Sequence, residues 1–314
     1  MKQVTRSFLF IGVVFLLLIT AACKKASEGI IPKVNTVEVT FITPVSATCS
    51  GKIIANSTPE ITDIGVCWGI SQVPSVSDSK TSGKDLTDTY AFTHSITGLS
   101  PNTTYFARAY VTNQSGTAYG NVLSFKTPVD HSGEKGTLTD IEGNVYKTSG
   151  IGSQVWTTEN LRTTTFNDGS PIPPGKCYRC WSFLASPGYC WYNSDEFQNK
   201  ASFGAIYNWY TVNSGKLCPS GWHVPAEKEW TILESYPGNK DIVASLNILP
   251  GGYRGDLAEF SGLGEKGIFW TSDQSAPDKA VYKSVSFADH VISGGTFSID
   301  WGASVRCIKN ETAN

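Results

Sequence analysis

The first 22 residues constrain the rest of the chain more than any other segment, because they decide the compartment in which it folds. Lys2 and Arg6 precede an apolar run from Phe8 to Ile19 that only Gly12 interrupts. The run is too short to cross a bilayer as a permanent helix and is typical of a secretory signal. We therefore expect an oxidising compartment, where cysteines can form disulfides.

A cysteine follows this signal directly, in the order Thr20-Ala21-Ala22-Cys23. The segment resembles a bacterial lipoprotein signal of the Bacteroidetes type, although Thr20 stands where leucine is usual. The resemblance implies a signal peptide over 1–22, lipidation of Cys23 and anchoring to the outer membrane of the cell envelope by lipid, at about 0.8 kcal/mol per buried methylene. The alternative is ordinary cleavage nearby, with Cys23 as a plain residue.

Residues 23–32 are polar and predict a flexible tether. Some Bacteroidetes lipoproteins carry an acidic surface-export tag after the cysteine, whereas here Lys24, Lys25 and Glu28 follow. Periplasmic and cell-surface display therefore both stay open.

Composition favours two β-rich domains in the 314-residue chain. Loss of Lys2 and Arg6 with the signal takes the formal charge from −2 to −4, so no nucleic-acid partner is expected. Only 17% of residues are charged and 12% are aromatic, which is typical of loop-rich β proteins with aromatic cores.

The stretch 33–128 shows short apolar runs between turn residues, a spacing that predicts an all-β sandwich. Its most specific motif runs from Leu99 to Tyr105 and precedes the alternating Ala107, Ala109 and Val111. The motif resembles the tyrosine corner of a fibronectin type III module, which implies a spacer or adhesive role. The predicted strands are Val34–Ile42, Val45–Ile54, Ile61–Ile70, Thr89–Thr97, Thr103–Asn113 and Thr117–Thr127.

Cys49 and Cys67 fall on the second and third of these strands. They could bridge the two sheets. However, side chains alternate along a strand, and Val66 and Trp68 would point Cys67 away from a core that they share. A bridge and two separate thiols both stay open.

A polar, glycine-containing segment over 129–136 predicts the interdomain linker, and 137–309 forms a second domain with a tail at 310–314. The second domain contains, in order, the motifs Thr139–Tyr146, Ile151–Trp156, Glu159–Arg162, Tyr189–Asn193, Phe203–Tyr210, Leu217–Pro225, Pro250–Arg254, Phe269–Ser272 and Ser304–Lys309. Together these motifs resemble the Fibrobacter succinogenes major paralogous domain. That resemblance implies an α+β, C-type-lectin-like fold whose biochemical role is largely unassigned.

Cys218 and Cys307 match the paired positions of that family, so the resemblance implies a disulfide between them. Closing a loop of this length would restrict the unfolded chain by about 4 to 5 kcal/mol. Pro225–Ser235 predicts the clearest helix, with Trp230 on its buried face and Ala226 at a position where related sequences often carry Ser or Thr. A second helix is predicted over Asn239–Leu246.

The spacing Cys177-Tyr178-Arg179-Cys180 fits a redox or metal pair, but no second pair or nearby histidine completes a zinc site. A local disulfide, or a link from Cys177 or Cys180 to Cys190, is the favoured alternative.

Ligand binding is predicted at exposed aromatic and polar residues of the second domain. Trp181 lies in the atypical insertion over 176–188 and is the preferred exposed platform for a sugar ring. The remaining candidates are Trp191, Tyr192, Asn193 and Asp195. No metal site or cofactor is expected. Calcium could bind at Asn193, Asp195 and Glu196, but the usual lectin triplets are absent.

No catalytic motif stands out, and the predicted function is a non-catalytic, lipid-anchored binding or adhesion protein of the envelope. Its partner would be a glycan or a protein. One alternative is a structural component of a surface assembly. A remote alternative is an oxidative enzyme of the formylglycine-generating type, whose late cysteine pair is not present because only Cys307 lies late.

Overall fold

The computed structural model describes residues 31–54, 60–87, 90–175, 181, 184–236, 241–255, 257 and 259–311. The predicted signal peptide, Cys23, most of the tether and the Cys177–Cys180 pair lie outside these residues. Across the described ranges, none of the helices has both the length and the apolar character needed to cross a membrane.

The N-terminal domain is an all-β sandwich, as the sequence predicts. One sheet has the order β1-β2-β5, and the other has the order β4-β3-β6-β7 with β8 also paired to β6. The apolar faces of the two sheets enclose one core. The strands are β1 (Val34–Thr40), β2 (Ser46–Ile53), β3 (Ile61–Gly69), β4 (Ser79–Lys80), β5 (Ala91–Thr97), β6 (Thr104–Asn113), β7 (Gly116–Tyr119) and β8 (Leu123–Lys126).

The predicted tyrosine corner is present at the start of β6. The Tyr105 hydroxyl accepts a hydrogen bond from the Ser100 backbone N–H at 3.0 Å, and the Tyr105 ring stacks on Phe125 with 5.8 Å between centroids. The ring is thus buried while its hydroxyl is satisfied by backbone, which fixes the turn into the strand.

The two cysteines of the sandwich are separate buried thiols. Cys49 belongs to the core, whereas the Cys67 sulfur lies near the carbonyl oxygens of Pro74 (3.5 Å) and Arg108 (3.6 Å). Because side chains alternate along β3 and Val66 and Trp68 face the core, Cys67 points away from Cys49. Of the two alternatives that the sequence left open, the structure therefore shows two separate thiols and not a disulfide.

The predicted last strand, Thr117–Thr127, is divided into β7 and β8. The break falls at Gly120, where an added Cβ would lie 2.5 Å from the Thr36 nitrogen. Thr36 and Asn121 then tie the break to β1, with the Thr36 hydroxyl donating to the Asn121 carbonyl at 2.5 Å. A close approach between backbones thus interrupts the pairing.

Most of the predicted linker is docked on the C-terminal domain. The His131 N–H donates to the Gly152 carbonyl at 2.7 Å, and the Gly150 N–H donates to the Glu134 carbonyl at 2.9 Å. The Ser132 hydroxyl lies 2.9 Å from the Tyr236 hydroxyl. The linker prediction over 129–136 was therefore too long, because these backbone groups find partners in the next domain.

In its described residues, the C-terminal domain, which we call the head (131–311), combines two sheets with four short α-helices and a 3-10 turn at Tyr192–Ser194. One sheet has the order β14-β21-β11-β10-β9, and the other has the order β12-β13-β20-β15-β17-β18-β19 with β16 on β15. Strands predominate in the head, and its α+β, C-type-lectin-like classification stays a prediction. The elements are β9 (Lys135–Thr139), β10 (Val145–Ile151), β11 (Gln154–Thr157), β12 (Tyr189–Cys190), α1 (Glu196–Phe203), β13 (Ile206–Asn208), α2 (Trp209–Asn213), β14 (Trp222–His223), α3 (Glu227–Ser235), α4 (Ile242–Ser245), β15 (Gly251–Arg254), β16 (Phe260–Leu263), β17 (Lys266–Ala276), β18 (Lys279–Ser286), β19 (Ile292–Ser298), β20 (Gly302–Ala303) and β21 (Ile308–Lys309).

The chain end closes the head. β21 pairs with both β11 and β14, and the predicted disulfide joins Cys218 to Cys307 across 6.0 Å between Cα atoms. Both cysteines lie in the main core of the head. The bridge therefore holds the last strand against the segment that enters α3.

The predicted helices are confirmed with shorter limits. α3 buries Trp230 and Leu233, and its N-cap Ala226 has only a backbone N–H to offer, which donates to Glu229 Oε2 at 2.7 Å. The second predicted helix is reduced to α4, capped by Asp241, whose Oδ1 accepts from the Ala244 N–H at 3.1 Å.

Candidate functional site

Trp181 is not an exposed platform, and this prediction was wrong. The residue is 0% exposed, and its ring lies 4.6 Å from the Arg254 guanidinium carbon. A Cβ at Gly302 would lie 2.9 Å from the ring, and one at Gly175 would clash with it outright. Two glycines thus leave a slot that the indole fills, and Arg254 covers its face as a cation–π partner.

Trp191 and Tyr192 are also mostly buried, at 7% and 6% exposure. The Lys200 ammonium lies 5.2 Å from the centroid of the Trp191 ring, and Tyr192 packs against Phe260. Tyr192 therefore lies beneath the surface, and only a small part of Trp191 reaches solvent, which corrects their predicted role as exposed ring platforms.

The loop that follows these residues carries two consecutive left-handed residues, Asn193 (φ 52°) and Ser194 (φ 59°). Such backbone is costly for residues other than glycine, so the surroundings must hold it in place. Asn199, itself buried, does so by donating to the Tyr192 carbonyl at 2.8 Å and to the Asp195 carbonyl at 3.2 Å. The loop consequently has one fixed shape.

A cleft of about 440 Å³ opens beside this loop. Its lining includes the polar residues Tyr189, Ser194 and Glu196 and the apolar residues Pro174 and Trp191. Tyr189 meets Trp191 edge to face, with 5.6 Å between ring centroids. Concave shape, aromatic walls and a few polar groups are the usual features of a ligand site.

Burial and charged neighbours both act on the Tyr189 side chain in the cleft lining. Burial raises the pKa of Tyr189, and the charges of Glu196 and Glu142 raise it further. Lys200 opposes them, since its ammonium lies 2.8 Å from Glu196 Oε1. Tyr189 therefore keeps its proton at neutral pH and can donate a hydrogen bond to a ligand.

Cys190 lies in the cleft lining as a buried free thiol, and its predicted partners, Cys177 and Cys180, lie outside the described residues. Burial raises its pKa to about 11, and the nearby Arg254 guanidinium opposes the shift only in part. The protonated sulfur is a poor nucleophile, which gives Cys190 a packing role.

The oxygens proposed for calcium are engaged elsewhere. Asp195 Oδ1 caps α1 by accepting from the Gln198 N–H at 3.0 Å, and Glu196 pairs with Lys200. Among the described residues there is no group of three or more His, Cys, Asp or Glu side chains that could hold a metal ion.

Sequence reasoning selected the neighbourhood of the cleft but missed Tyr189 and Ser194. Tyr189 and Trp191 are two residues apart next to a strand, so both could have been assigned to one face. No sequence pattern indicated the left-handed backbone conformation of Ser194, because that conformation depends on the hydrogen bonds of Asn199.

Residues 150–246 match the model of the Fibrobacter succinogenes major domain family. The matched range includes the cleft, the strained loop and Cys218, and it supports the domain content that the motifs predicted. Cys307 and the closing strand lie beyond it. No curated protein matches the chain.

Two solved structures are similar to the chain over about a third of its length. One is the sensor domain of the anti-sigma factor RsgI4 from Pseudobacteroides cellulosolvens, 21% identical, with 31% of this chain and 95% of that chain covered at a TM-score of 0.23. The other is the sixth fibronectin type III domain of human fibronectin type III domain containing protein 3, 21% identical, with 34% and 93% covered at a TM-score of 0.24. TM-scores this low support no conclusion about this chain. The fibronectin type III-like description therefore depends on the sheet order and the tyrosine corner.

Proposed function

We propose that this chain is a non-catalytic binding protein of the cell envelope, whose head captures an extracellular or cell-wall ligand in the cleft beside α1. The observation that carries the proposal is the pair of left-handed residues, Asn193 and Ser194, held by the buried Asn199 at the cleft rim. Backbone strain that the surroundings hold in place is concentrated at functional sites.

The chemistry of the cleft favours a ligand rich in hydroxyl groups, such as a glycan. The Tyr189 hydroxyl can donate, Ser194 can donate or accept, and the Glu196 carboxylate can accept two hydrogen bonds. The edges of Tyr189 and Trp191 offer apolar contact for the C–H faces of a sugar ring. The site would therefore recognise the positions of the hydroxyl groups by hydrogen bonds and the shape of the sugar ring by apolar contact.

The lipid on Cys23 would hold the protein at the outer membrane, and the sandwich would carry the head away from it. The mass of the N-terminal peptide of the purified protein tests this step. An acylated Cys23 supports it, and a free N-terminus elsewhere removes the anchor from the proposal.

A glycan array with the full chain and with Glu196→Gln tests the ligand site. Glu196 is an exposed residue, and among the described residues its ion pair is with Lys200, so the variant should fold normally. Loss of a charge-assisted hydrogen bond should weaken binding by about tenfold or more. Glu38→Gln, an exposed change on β1, is the matched control.

Binding that survives Glu196→Gln unchanged would move the ligand site away from the cleft. A silent array would instead favour the structural alternative, a component of a surface assembly. That alternative has one observation of its own, since Phe197 is 96% exposed beside the cleft. Phe197→Ser would then reduce the size of the complex recovered from the envelope.

The remote alternative of a formylglycine-generating type of enzyme needs a close cysteine pair late in the domain. Cys307 is bound to Cys218 instead, and Cys190 is a buried thiol with a raised pKa. These observations support a non-catalytic role for the head.

A further inference from the structure

A second cavity, of about 180 Å³, lies at the opposite end of α1 from the cleft. Its lining is rich in charged and polar groups. The polar residues that line it include Glu159, Asn160, Arg162, Ser202, Asn247 and Arg306.

Arg306 is 1% exposed, and its hydrogen bonds go to neutral acceptors. Nε donates to Asn160 Oδ1 at 2.6 Å, and Nη1 donates to the carbonyls of Thr157 and Leu246, both at 2.9 Å. Nη2 reaches the Asn247 carbonyl at 3.3 Å. A guanidinium has five N–H groups, so these four bonds leave one on Nη2.

The cation also lacks a counter-charge in the part of the chain that the structure describes, where no carboxylate oxygen lies within 4.0 Å of its nitrogens. Burying a charge without a counter-charge is unfavourable. Burial accordingly lowers the pKa of Arg306 to about 9, and the more distant Glu159 opposes this only in part. The group still carries its proton at neutral pH.

The other charges of the cavity cancel. Arg162 Nη1 lies 3.2 Å from Glu159 Oε2, so this pair contributes little net field. The charge of Arg306 is therefore what a ligand in the cavity would meet.

We propose that this cavity binds a small oxyanion, a carboxylate or a phosphate group, with Arg306 as its counter-charge and Arg162 at its side. The volume suffices for such a group, since each water molecule occupies about 30 Å³ of liquid. The anion could be free or could be the acidic group of a larger ligand, such as an acidic sugar. This site is independent of the cleft and of the function proposed for it.

Thermal unfolding of the full chain, followed by tryptophan fluorescence, tests the proposal. Acetate, inorganic phosphate and glucuronate are each titrated against chloride at constant ionic strength. A saturable rise in Tm with an oxyanion, absent with chloride, is expected, because a ligand that binds only the folded state stabilises it. Response to acetate or phosphate identifies a free ion, and response to glucuronate alone identifies an acidic sugar.

Two variants that leave Arg306 unchanged test whether the oxyanion that raises the Tm binds in this cavity. Glu159→Gln removes the competing carboxylate and should tighten binding on the order of fivefold, whereas Arg162→Gln should weaken it by a similar factor. Glu265→Gln, an exposed change elsewhere in the head, is the control.

A Tm that responds alike to chloride and to all three oxyanions would overturn the proposal. The same holds for an oxyanion response that neither variant alters. Arg306 would then be only a cross-link between the segments at Thr157, Asn160 and Leu246.

Discussion

At the scale of single residues, His223 joins three parts of the head. Its Nε2 lies 2.9 Å from Glu229 Oε1 in α3, and its Nδ1 lies 2.6 Å from Asn310 Oδ1 beyond the last strand. Both ring nitrogens face oxygen acceptors, so the doubly protonated, charged form satisfies both contacts. The hydrogen bond to Glu229 raises the pKa of His223, with Asn310 adding to it against the effect of burial.

A raised pKa makes stability depend on pH with a defined sign. The contribution of His223 is fully present below its unfolded pKa of about 6.5 and is lost as the pH rises through the higher folded value. Urea unfolding of the head from about pH 5.5 to about pH 9 should show this loss in the wild type. The side chain is 42% exposed, so solvent keeps the effect small.

His223→Gln should remove the loss above pH 6.5, whereas His290→Gln, which removes an exposed histidine elsewhere, should keep it. Parallel stability curves for the wild type and His223→Gln would show that the contacts of His223 do not prefer the charged ring.

Single residues also show where sequence reasoning fails. Tyr105 was predicted correctly because its motif is local: the partner of its hydroxyl, Ser100, lies five residues upstream. Trp181 was assigned to the surface because its insertion is polar, but its environment is made by Gly175, Gly302 and Arg254. Contacts between residues so distant along the chain leave no local pattern.

At the scale of elements, the N-cap residue of α3 offers no side-chain cap, and among the first-turn N–H groups that of Glu227 donates to Asp273 Oδ2. The N-cap Ala226 cannot accept a hydrogen bond, so the capping box is only half made, by Glu229. The N–H groups of the first turn gain a partner if the side chain at 226 carries an oxygen.

Ala226→Ser should therefore raise the free energy of unfolding of the head by about 1 kcal/mol. Urea unfolding followed by tryptophan fluorescence measures the change. Ala201→Ser, inside α1, adds the same hydroxyl without a cap and should cost a few tenths of a kcal/mol. A gain of equal size in both variants would contradict the capping argument.

Elements were predictable where periodicity and turn residues act locally. β3 and β6 have nearly the predicted limits, because alternation and flanking polar residues define them. The division of β7 from β8 at Gly120 was not predictable, since it follows from the approach of Thr36 in β1. The strained loop at Asn193 and Ser194 was not predictable either, since its conformation depends on hydrogen bonds from Asn199.

At the scale of the whole molecule, the disulfide and the two separate cores govern stability. The Cys218–Cys307 bridge closes a loop with a sequence separation of 89 inside the head, whereas the sandwich has no bridge among its described residues. The restricted loop contributes about 4 to 5 kcal/mol on the chain-entropy model. Stability of the head should depend on the bridge, and stability of the sandwich should not.

The double variant Cys218→Ala/Cys307→Ala should lower the Tm of the head strongly and leave the sandwich transition unchanged. Tryptophan fluorescence reports the head, since eight of the nine tryptophans lie after residue 150 and only Trp68 lies in the sandwich. Hydrogen exchange of β6 reports the sandwich. Simultaneous loss of both transitions would show that the two cores are coupled.

The domain order was predictable from the sequence, but the division between the domains was not. Thr127 and Pro128 are still bonded to the sandwich, because the Thr127 hydroxyl donates to the Ser100 carbonyl and the Pro128 carbonyl accepts from Asn102. The head begins at His131, where polar composition had indicated a free segment.

Only Val129 and Asp130 therefore stand between the two bodies, and a stretch this short spans at most about 10 Å between its attachment points. A force applied to the head passes through this short joint with little slack to absorb it. The first bonds to bear that tension are those at His131 and Glu134, which lie across the β10 edge and can detach one after another. The docked segment 131–134 is thus the part of the head most directly exposed to force that the sandwich transmits.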